Sequence, residues 1–522
     1  MKFSNTYIKL GKAFYQSILP EPVYSPTVLL WNGPLAEHLG VPEQLINDSK
    51  QLAQYFSGNQ MLEGAESIAL AYSGHQFGHL NPQLGDGRAH LLGEVFDKDK
   101  HRHDIQLKGS GRTVWSRQGD GRCALGPALR EYIMSEAMYA LGVPTTRCLA
   151  VVVSGESVFR GTEKAGAIVT RVASSHIRVG TFQYFAIKSD MDSLLALTNY
   201  TITRHFAFID EAENQQLETR VLSFLKAVMN KQQELIVNWL RIGFIHGVMN
   251  TDNTPICGET LDFGPCAMMN KYRGGTVFSS IDANGRYAFD QQGNITVWNM
   301  SRLAECLMML LIHFTDKSQQ EVIAVIEPLL HQFQKELQQA TDLMYVNKLG
   351  FEAVCEQSLS ASATLLALMD QHELDYTNTF AALTRVAASE HLTELTTDSE
   401  IGQQELTELF GQYLIPLVLK DWFVHWQQSL QKLSSDNGYN KQKTHKLMQK
   451  NNPVMIPRNH QVEQLLNLCE MGIEQGDITV GINTVNDYLK ALKTPYSDNQ
   501  YTQKYAYIPD GSDDYYQTFC GT

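Results

Sequence analysis

Cysteine is scarce in this 522-residue chain: eight thiols, at positions 123, 148, 257, 266, 306, 355, 469 and 520, with no CxxC pair. That spacing excludes a disulfide framework and a cysteine-type zinc site, and it reads as the buried thiols of a cytoplasmic protein. Cys520, third from the end, stands apart as a thiol open to oxidation, with an incidental free thiol as the plainer reading. Long apolar runs are lacking too. The most noticeable, Leu307 to Ile312 (LMMLLI), is far too short to cross a bilayer, so no membrane is expected as a partner. The opening MKFSNTYIKLGKAFYQSILP has neither an uninterrupted apolar core nor a small-residue cleavage site, and does not read as a secretory signal. Positive charge is in deficit: 42 Lys and Arg against 56 Asp and Glu gives 42 − 56 = −14. A chain so charged is poorly suited to bulk nucleic acid or an anionic membrane surface, although a local basic pocket for a small anion is compatible with it. Internal repeats and low-complexity tracts are missing as well.

What is present is an ordinary globular composition, 43% hydrophobic and 19% charged, long enough to bury a large core without disulfides. The character of the chain changes near residue 185. Before it, glycines cluster among short alternating runs. Ala89 to Phe96 and Asp104 to Gly109 read as strands, and a glycine- and arginine-rich loop follows. Pro127 opens a helix whose apolar positions 129, 132, 133, 137, 140 and 141 keep a helical period, with Gly142 and Pro144 as the stop. Cys148 to Val153, Ser157 to Gly161 and Ala165 to Arg171 read as three strands, the first two joined by a hairpin turn at Ser154-Gly155-Glu156. The expected order is strand, strand, helix, strand, strand, strand. After residue 185 helices dominate: 191–206, 219–242, 298–314, 318–345, 359–370, 379–391, 403–432, 460–475 and 481–493. The segment 434–459 is polar and basic and reads as a loop.

Three constellations carry chemistry. Lys108 ends a strand, and Glu131 lies 131 − 108 = 23 residues on, in the first turns of the next helix. A lysine held by a helix carboxylate stays charged and fixed, able to grip a phosphate. Glu136 is a rival partner, but five residues on it lies about 140° around the helix, so both glutamates cannot face one lysine. The plain alternative is a surface lysine with two solvated glutamates. Next, His246-Gly247-Val248-Met249-Asn250-Thr251-Asp252-Asn253 is followed by Asp262-Phe263-Gly264. Kinase catalytic loops have the form H-R-D-x-x-x-x-N with a later D-F-G, and here His246 and Asn253 keep that spacing. Asn253 and Asp262 fall where a kinase holds Mg²⁺. The usual catalytic aspartate is replaced by Val248, and the nearest carboxylate in the loop is Asp252. Third, Gly85-Asp86-Gly87-Arg88, Asp120-Gly121-Arg122, Arg171 and Arg178 concentrate glycine and arginine before residue 185. Glycines let backbone N–H groups approach phosphate oxygens, and arginines clamp them through forked donors. Taken singly, each arginine reads as a surface charge; together they suggest a polyanion pocket.

Taken together, NPQLGDGRAHLLGE, DIQLKGSGRTVWSRQGDGR, ALREYIMSEAMYALGVPTTR and HGVMNTDN…DFGP resemble the selenoprotein O family of protein adenylyltransferases, over nearly the whole chain. The resemblance implies an α+β, two-lobed protein-kinase-like fold. A small β-rich N-lobe with its N-terminal segment would span 1–185, a large helical C-lobe with the metal loop 186–350, and a helical C-terminal extension and tail 351–522. It implies ATP bound in a flipped orientation and AMP transferred to Ser, Thr or Tyr hydroxyls of protein substrates, with Mg²⁺ or Mn²⁺, and UMP transfer from UTP with Mn²⁺ as a further possibility. Carried over, Lys108 becomes the phosphate-binding lysine and Glu131 its partner. Gly85, Gly87, Arg88, Asp120, Gly121, Arg171 and Arg178 surround the nucleotide. Asn253 and Asp262 become metal ligands, and Asp252 the proton acceptor. Animal members carry selenocysteine where this chain has Cys520, which leaves redox coupling through that position open. Two rivals remain: an atypical kinase transferring the γ-phosphoryl group, and a nucleotide-binding pseudokinase scaffold without catalysis.

Overall fold

Strand alternation organises the first third of the chain. The computed structural model describes residues 1–211, 216–388, 419–433, 440–509, 511–513 and 516–518. Its main sheet runs in the order β1 (Tyr15–Ser17), β3 (Ile68–Leu70), β6 (Ala89–Phe96), β7 (Arg102–Lys108), β10 (Glu163–Ala173), β9 (Arg147–Phe159) and β2 (Thr27–Trp31), with β8 (Cys123–Ala124) on β10. Every pairing is antiparallel. Side chains alternate across the pleat. Ile105, Leu107, Val152 and Ile168 therefore face one side, where they pack on Leu35, Leu52 and Phe56 of α1 (Gly33–His38) and α3 (Ser49–Phe56). Cys148, Val151 and Val169 face the other, against α4 (Leu125–Ala140), and join the main core. Gln106 and Lys108 share that second side, so β7 presents its polar residues toward the rest of the molecule.

The expected hairpin at Ser154-Gly155-Glu156 is not there. Residues 147–159 form one thirteen-residue strand. Gly155, at φ +75°, instead makes an irregularity opposite Ala165 to Ala167, where the register shifts. A left-handed glycine inside a run looks like a turn in sequence, yet a bulge absorbs the extra residue without reversing the chain. The reversal comes at Arg160 to Thr162, where the Arg160 N–H donates to the Thr162 carbonyl at 2.9 Å. The three expected strands are thus two. Helix α4 starts two residues before Pro127 and ends as expected, Gly142 adopting φ +72°.

The remainder is mostly helical: α5 (Val179–Ile187), α6 (Met191–His205), α7 (Leu217–Ile242), α8 (Gln292–Phe314), α9 (Gln319–Lys348), α10 (Glu356–Gln371) and α11 (Tyr376–Ala388), then Leu419–Leu433, Lys441–Asn451, Asn459–Glu474 and Thr479–Leu492. The change of character near 185 falls inside α5. Residues 389–391 and 403–418 of two expected helices lie outside the described residues, as does Cys520. The segment 434–459 is not simply a loop, since it carries the helix Lys441–Asn451. That helix buries only Thr444 and Met448 and is otherwise polar, too little apolar signal to be read as periodic. The C-terminal helices brace the middle of the chain. Asn459 exchanges two hydrogen bonds of 2.8 Å with the Met268 backbone, and Thr518 donates to the Pro265 carbonyl at 2.6 Å.

The apolar stretch around Leu307 is longer in structure than the six-residue run suggested. By length and composition the Phe289–Phe314 stretch would suffice to cross a membrane. It is instead a core element: Met300, Leu303, Leu307, Leu310 and Leu311 are buried, and α8 packs on α5, α7 and α9. Of the seven described cysteines, all without a disulfide, five are buried and Cys257 and Cys355 half-buried. If α8 is core, Leu307→Ala should cost about 2–5 kcal/mol, the usual range for a leucine truncated in a packed interior. The measurement is the urea midpoint of the purified protein, and an unchanged midpoint would contradict the packing.

Candidate active site

Four charged side chains from four elements interlock where the sheet meets the helices. Lys108, at the end of β7, reaches Glu131 of α4 at 2.6 Å and Asp262 at 2.7 Å. Arg171 of β10 donates from Nε to Glu131 at 2.6 Å and from Nη2 to the same oxygen. Its guanidinium also lies 4.0 Å from Asp262. Lys108, Glu131 and Arg171 are buried. Burial alone would raise the Glu131 carboxyl, but Arg171 and Lys108 overcome it and hold the group below its ordinary value. Asp262 is pulled further, well below the usual carboxylate range, because Lys108, Arg171 and Arg88 together outweigh its desolvation. Glu136 faces away and binds Arg147 at 2.5 and 2.6 Å, as its place on the helix requires.

The loop 246–253 and Asp262 are brought together by a short ribbon. Helix α7 ends at Gly243; β11 (Phe244–Ile245) then pairs with β12 (Ala267–Met268), which follows the Asp-Phe-Gly turn. Buried His246 ties the two ends: Nε2 donates to the Leu261 carbonyl at 2.9 Å and Nδ1 accepts the Val248 N–H at 3.3 Å. That pair of roles is the neutral imidazole, and burial pushes its pKa down. Asn253 donates its amide N–H to the Val248 carbonyl at 3.1 Å, which leaves the amide oxygen as the atom available to a cation. Asp262 adopts φ +72°, a conformation rare for a side-chain-bearing residue and characteristic of functional turns. Burial raises the Asp252 carboxyl to about 6, Arg178 opposing the shift. Its Oδ1 is enclosed without a hydrogen-bond partner among the described residues.

A cavity of about 460 Å³ opens over these groups. It is lined by Gly85, Gly87, Arg88, Lys108, Asp120, Gly121, Arg171, Arg178, Val248, Asp252, Asn253 and Asp262. Glu131 sits behind Lys108 and does not line it. The two glycine-rich segments pack on each other: Thr113 donates to the Asp86 carbonyl at 2.6 Å and Ser116 to the Gly87 carbonyl. Asp120 is gripped by Arg160 at 2.7 and 2.8 Å, so its carboxylate fixes the rim of the cleft. Arg178 stacks over Tyr72 at 4.1 Å, lies 3.8 Å from Asp86 and donates to the Asp252 carbonyl oxygen at 3.2 Å. In a chain of net charge −14, the cleft carries seven cationic side chains, Arg117, Arg122 and Arg160 among them.

Residues 1–484 match the family model described as protein adenylyltransferase SelO. The chain belongs to the SelO family. Proteins named protein nucleotidyltransferase YdiU are similar along its length. The one from Teredinibacter turnerae is 43% identical over 522 residues, covering 100% of both chains. That from Pseudoalteromonas translucida is 45% identical over 523 residues, again covering 100% of both. That from Geobacillus kaustophilus is 44% identical over 521 residues, covering 100% of this chain and 99% of its own. As a SelO protein the chain is an enzyme of the nucleotidyltransferase class.

SelO membership makes a nucleotide and a divalent metal the groups to test against the cleft. Among the described residues no three His, Cys, Asp or Glu side chains converge as a metal cage. Among the oxygen donors that line the cleft, the Asn253 amide oxygen and the Asp262 carboxylate make a hard, two-ligand set suited to an ion that completes its shell with phosphate and water. The sequence reading missed several residues that line the cleft: Tyr72, Gln76, Gln106, Trp115, Arg117 and Arg160. Gln106 was within reach, being two residues before Lys108 on the same face of β7. Gln76 was not, because it arrives on a separate hairpin.

The two glutamates of α4 should separate cleanly. Glu131→Gln loosens both Lys108 and Arg171, and misplacing a positioning group by an ångström costs on the order of 10²-fold. Nucleotidyl transfer should therefore fall by about that much. Glu136→Ala should leave transfer near wild type while lowering the melting temperature, since Arg147 loses its partner. The reverse pattern in side-by-side assays would mean that the wrong glutamate holds the lysine.

Proposed function

We propose that this cleft transfers AMP from ATP to Ser, Thr or Tyr hydroxyls of protein substrates, in a kinase-like two-lobed arrangement with lobes at 1–185 and 186–350 and a bracing extension at 351–522. The cytoplasm is the compartment that fits its reduced, mostly buried thiols. The reading rests on one observation above the others. Lys108, Arg171 and Asp262 form a single interlocked cluster on the cleft wall, while the position a kinase uses for its base is the buried, apolar Val248.

In this reading Lys108, Arg171 and Arg178 hold the terminal phosphates against the inner cluster, with Arg88 and the glycines at 85, 87 and 121 along the chain of phosphates and the nucleoside. Asn253 and Asp262 would hold Mg²⁺ or Mn²⁺, which supplies charge neutralisation for the polyphosphate. The α-phosphorus is then left toward the acceptor. The substrate hydroxyl oxygen forms a bond to the α-phosphorus, the bond from that phosphorus to the β-phosphate bridging oxygen breaks, and pyrophosphate leaves. The hydroxyl proton passes to Asp252, the only carboxylate within the 246–253 loop. Arginines around the terminal phosphates stabilise charge on the leaving group.

Incubation with ATP labelled separately at the α- and γ-phosphates tests the reaction. Label from the α-position alone should appear on protein, with a mass gain of one AMP per site. Transfer of γ-label alone would make this a kinase, and transfer of neither a scaffold. Asp262→Ala should abolish labelling, and chelation of divalent metal should mimic it. Asp252→Asn should bind ATP normally and lose about 10²–10⁴-fold in transfer rate, the range of general-base catalysis. A folded Asp252→Asn protein working at the normal rate would remove the base from the scheme.

A further inference from the structure

The hairpin of β4 (Gly74–Gln76) and β5 (His79–Asn81) belongs to no larger sheet among the described residues, yet three successive residues, His75, Gln76 and Phe77, fasten it to the 246–253 loop. The His75 N–H donates to Thr251 Oγ1 at 2.7 Å. The Phe77 N–H donates to Asn250 Oδ1 and to the Tyr287 hydroxyl, both at 3.1 Å. The same hydroxyl donates to Asn250 Oδ1 at 2.7 Å. Thr251 in turn donates to Gln183 Oε1 at 2.6 Å, and the Gln183 amide meets His75 Nδ1 at 2.7 Å. Phe77 takes φ +50°. A phenylalanine held in the left-handed region persists only where surrounding contacts over-determine it.

Gln76 lies between these two pinned backbone sites. Its side chain turns into the cleft, and Nε2 donates to Asp252 Oδ2 at 3.4 Å. The other carboxylate oxygen is fitted just as closely. A Cβ on Gly74 would sit 2.3 Å from Asp252 Oδ1. Gly74 has no left-handed φ, so the space, not the backbone conformation, requires glycine there. Oδ1 is enclosed against Gly74, and Oδ2 is the oxygen that meets Gln76.

We propose that Gln76 is a positioning residue for Asp252: with Gly74 it clamps the carboxylate so that Oδ2 is presented to the acceptor hydroxyl. A carboxylate oxygen has two lone-pair directions. The amide occupies one and holds the other at the angle the incoming O–H needs. The inference rests on the reading of Asp252 as proton acceptor, and deepens it by assigning the group that aims the base.

The test is Gln76→Met, which keeps length and shape but removes the donor. It is assayed with α-labelled ATP and casein as acceptor, alone and combined with Asp252→Asn. Gln76→Met should fold with an unchanged melting temperature and an unchanged KM for ATP, while kcat falls by about 10- to 100-fold, as for a misaimed catalytic group. In the Asp252→Asn background it should have almost no further effect, because a positioning residue has nothing left to position. Gly74→Ala, which drives a methyl against Oδ1, should reproduce the loss of kcat with ATP affinity kept. Full kcat in Gln76→Met beside an inactive Asp252→Asn would overturn the assignment of Gln76 alone. Effects that multiply in the double variant would show that Gln76 acts on the nucleotide itself, and would also overturn it. An Asp252→Asn protein with normal activity would remove the underlying base reading, and this inference with it.

Discussion

Two buried cations, one buried carboxylate and one half-buried carboxylate hold the site together: Lys108 and Arg171 against Glu131 and Asp262. None could be buried alone, since an unpaired charge in the interior costs several kcal/mol even after relaxation. Each comes from a different part of the chain: β7, β10, α4 and the turn after the 246–253 loop. The cluster therefore forms only when the sheet, α4 and the helical part are docked in register. Removing one member strands the rest, which is why such groups are strongly destabilising to break, by about 3–5 kcal/mol, even where their net contribution is small.

The same arithmetic explains the arginines. The four inner groups cancel one another and cannot alone compensate a triphosphate. In the proposed reaction, compensation would come from the outer ring, Arg88, Arg117, Arg122 and Arg178, and from a cation at Asn253 and Asp262. Some of that ring is already engaged: Arg122 by the Glu21 and Pro22 carbonyls and Arg178 by Asp86 and the Asp252 carbonyl. These contacts fix the guanidiniums in place before a ligand arrives, so less side-chain freedom is lost on binding. An acidic protein can thus carry a cationic pocket without a basic surface.

Legibility in the sequence followed the range of the interactions. Lys108 and Glu131 could be read because one strand and one helix, each with clear periodicity, fix their faces; Glu136 was set aside by helix geometry alone and does turn to Arg147. The 246–253 loop and Asp262 could be read because a short ribbon closes them locally. The strand 147–159 was misread because a left-handed glycine signals turn and bulge alike, and only the partner strand decides between them. The three-residue strands before residue 88 were invisible, being too short for any period to show. Asp120 was placed beside the nucleotide, but its engagement by Arg160, at the tip of a distant hairpin, had no local trace.

Gln76 shows the limit most sharply. Nothing in SGHQFGHLNP marks a residue that meets Asp252, since the segment is 252 − 76 = 176 positions away and its strands are three residues long. The information lies in complementarity: a glycine where the carboxylate needs room, an amide where it needs a donor, and two backbone N–H groups aimed at Asn250 and Thr251. With Asp252 in the proposed role of proton acceptor, the shift of the carboxylate away from the Val248 position has a structural cost. In the loop, Asp252 is the buried middle residue of a three-residue 3₁₀ turn, Thr251–Asn253, instead of standing where the chain itself would aim it. An outside element must then do the aiming. The hairpin, anchored by bonds that a generic surface loop would not make, is the part of the fold placed to do so.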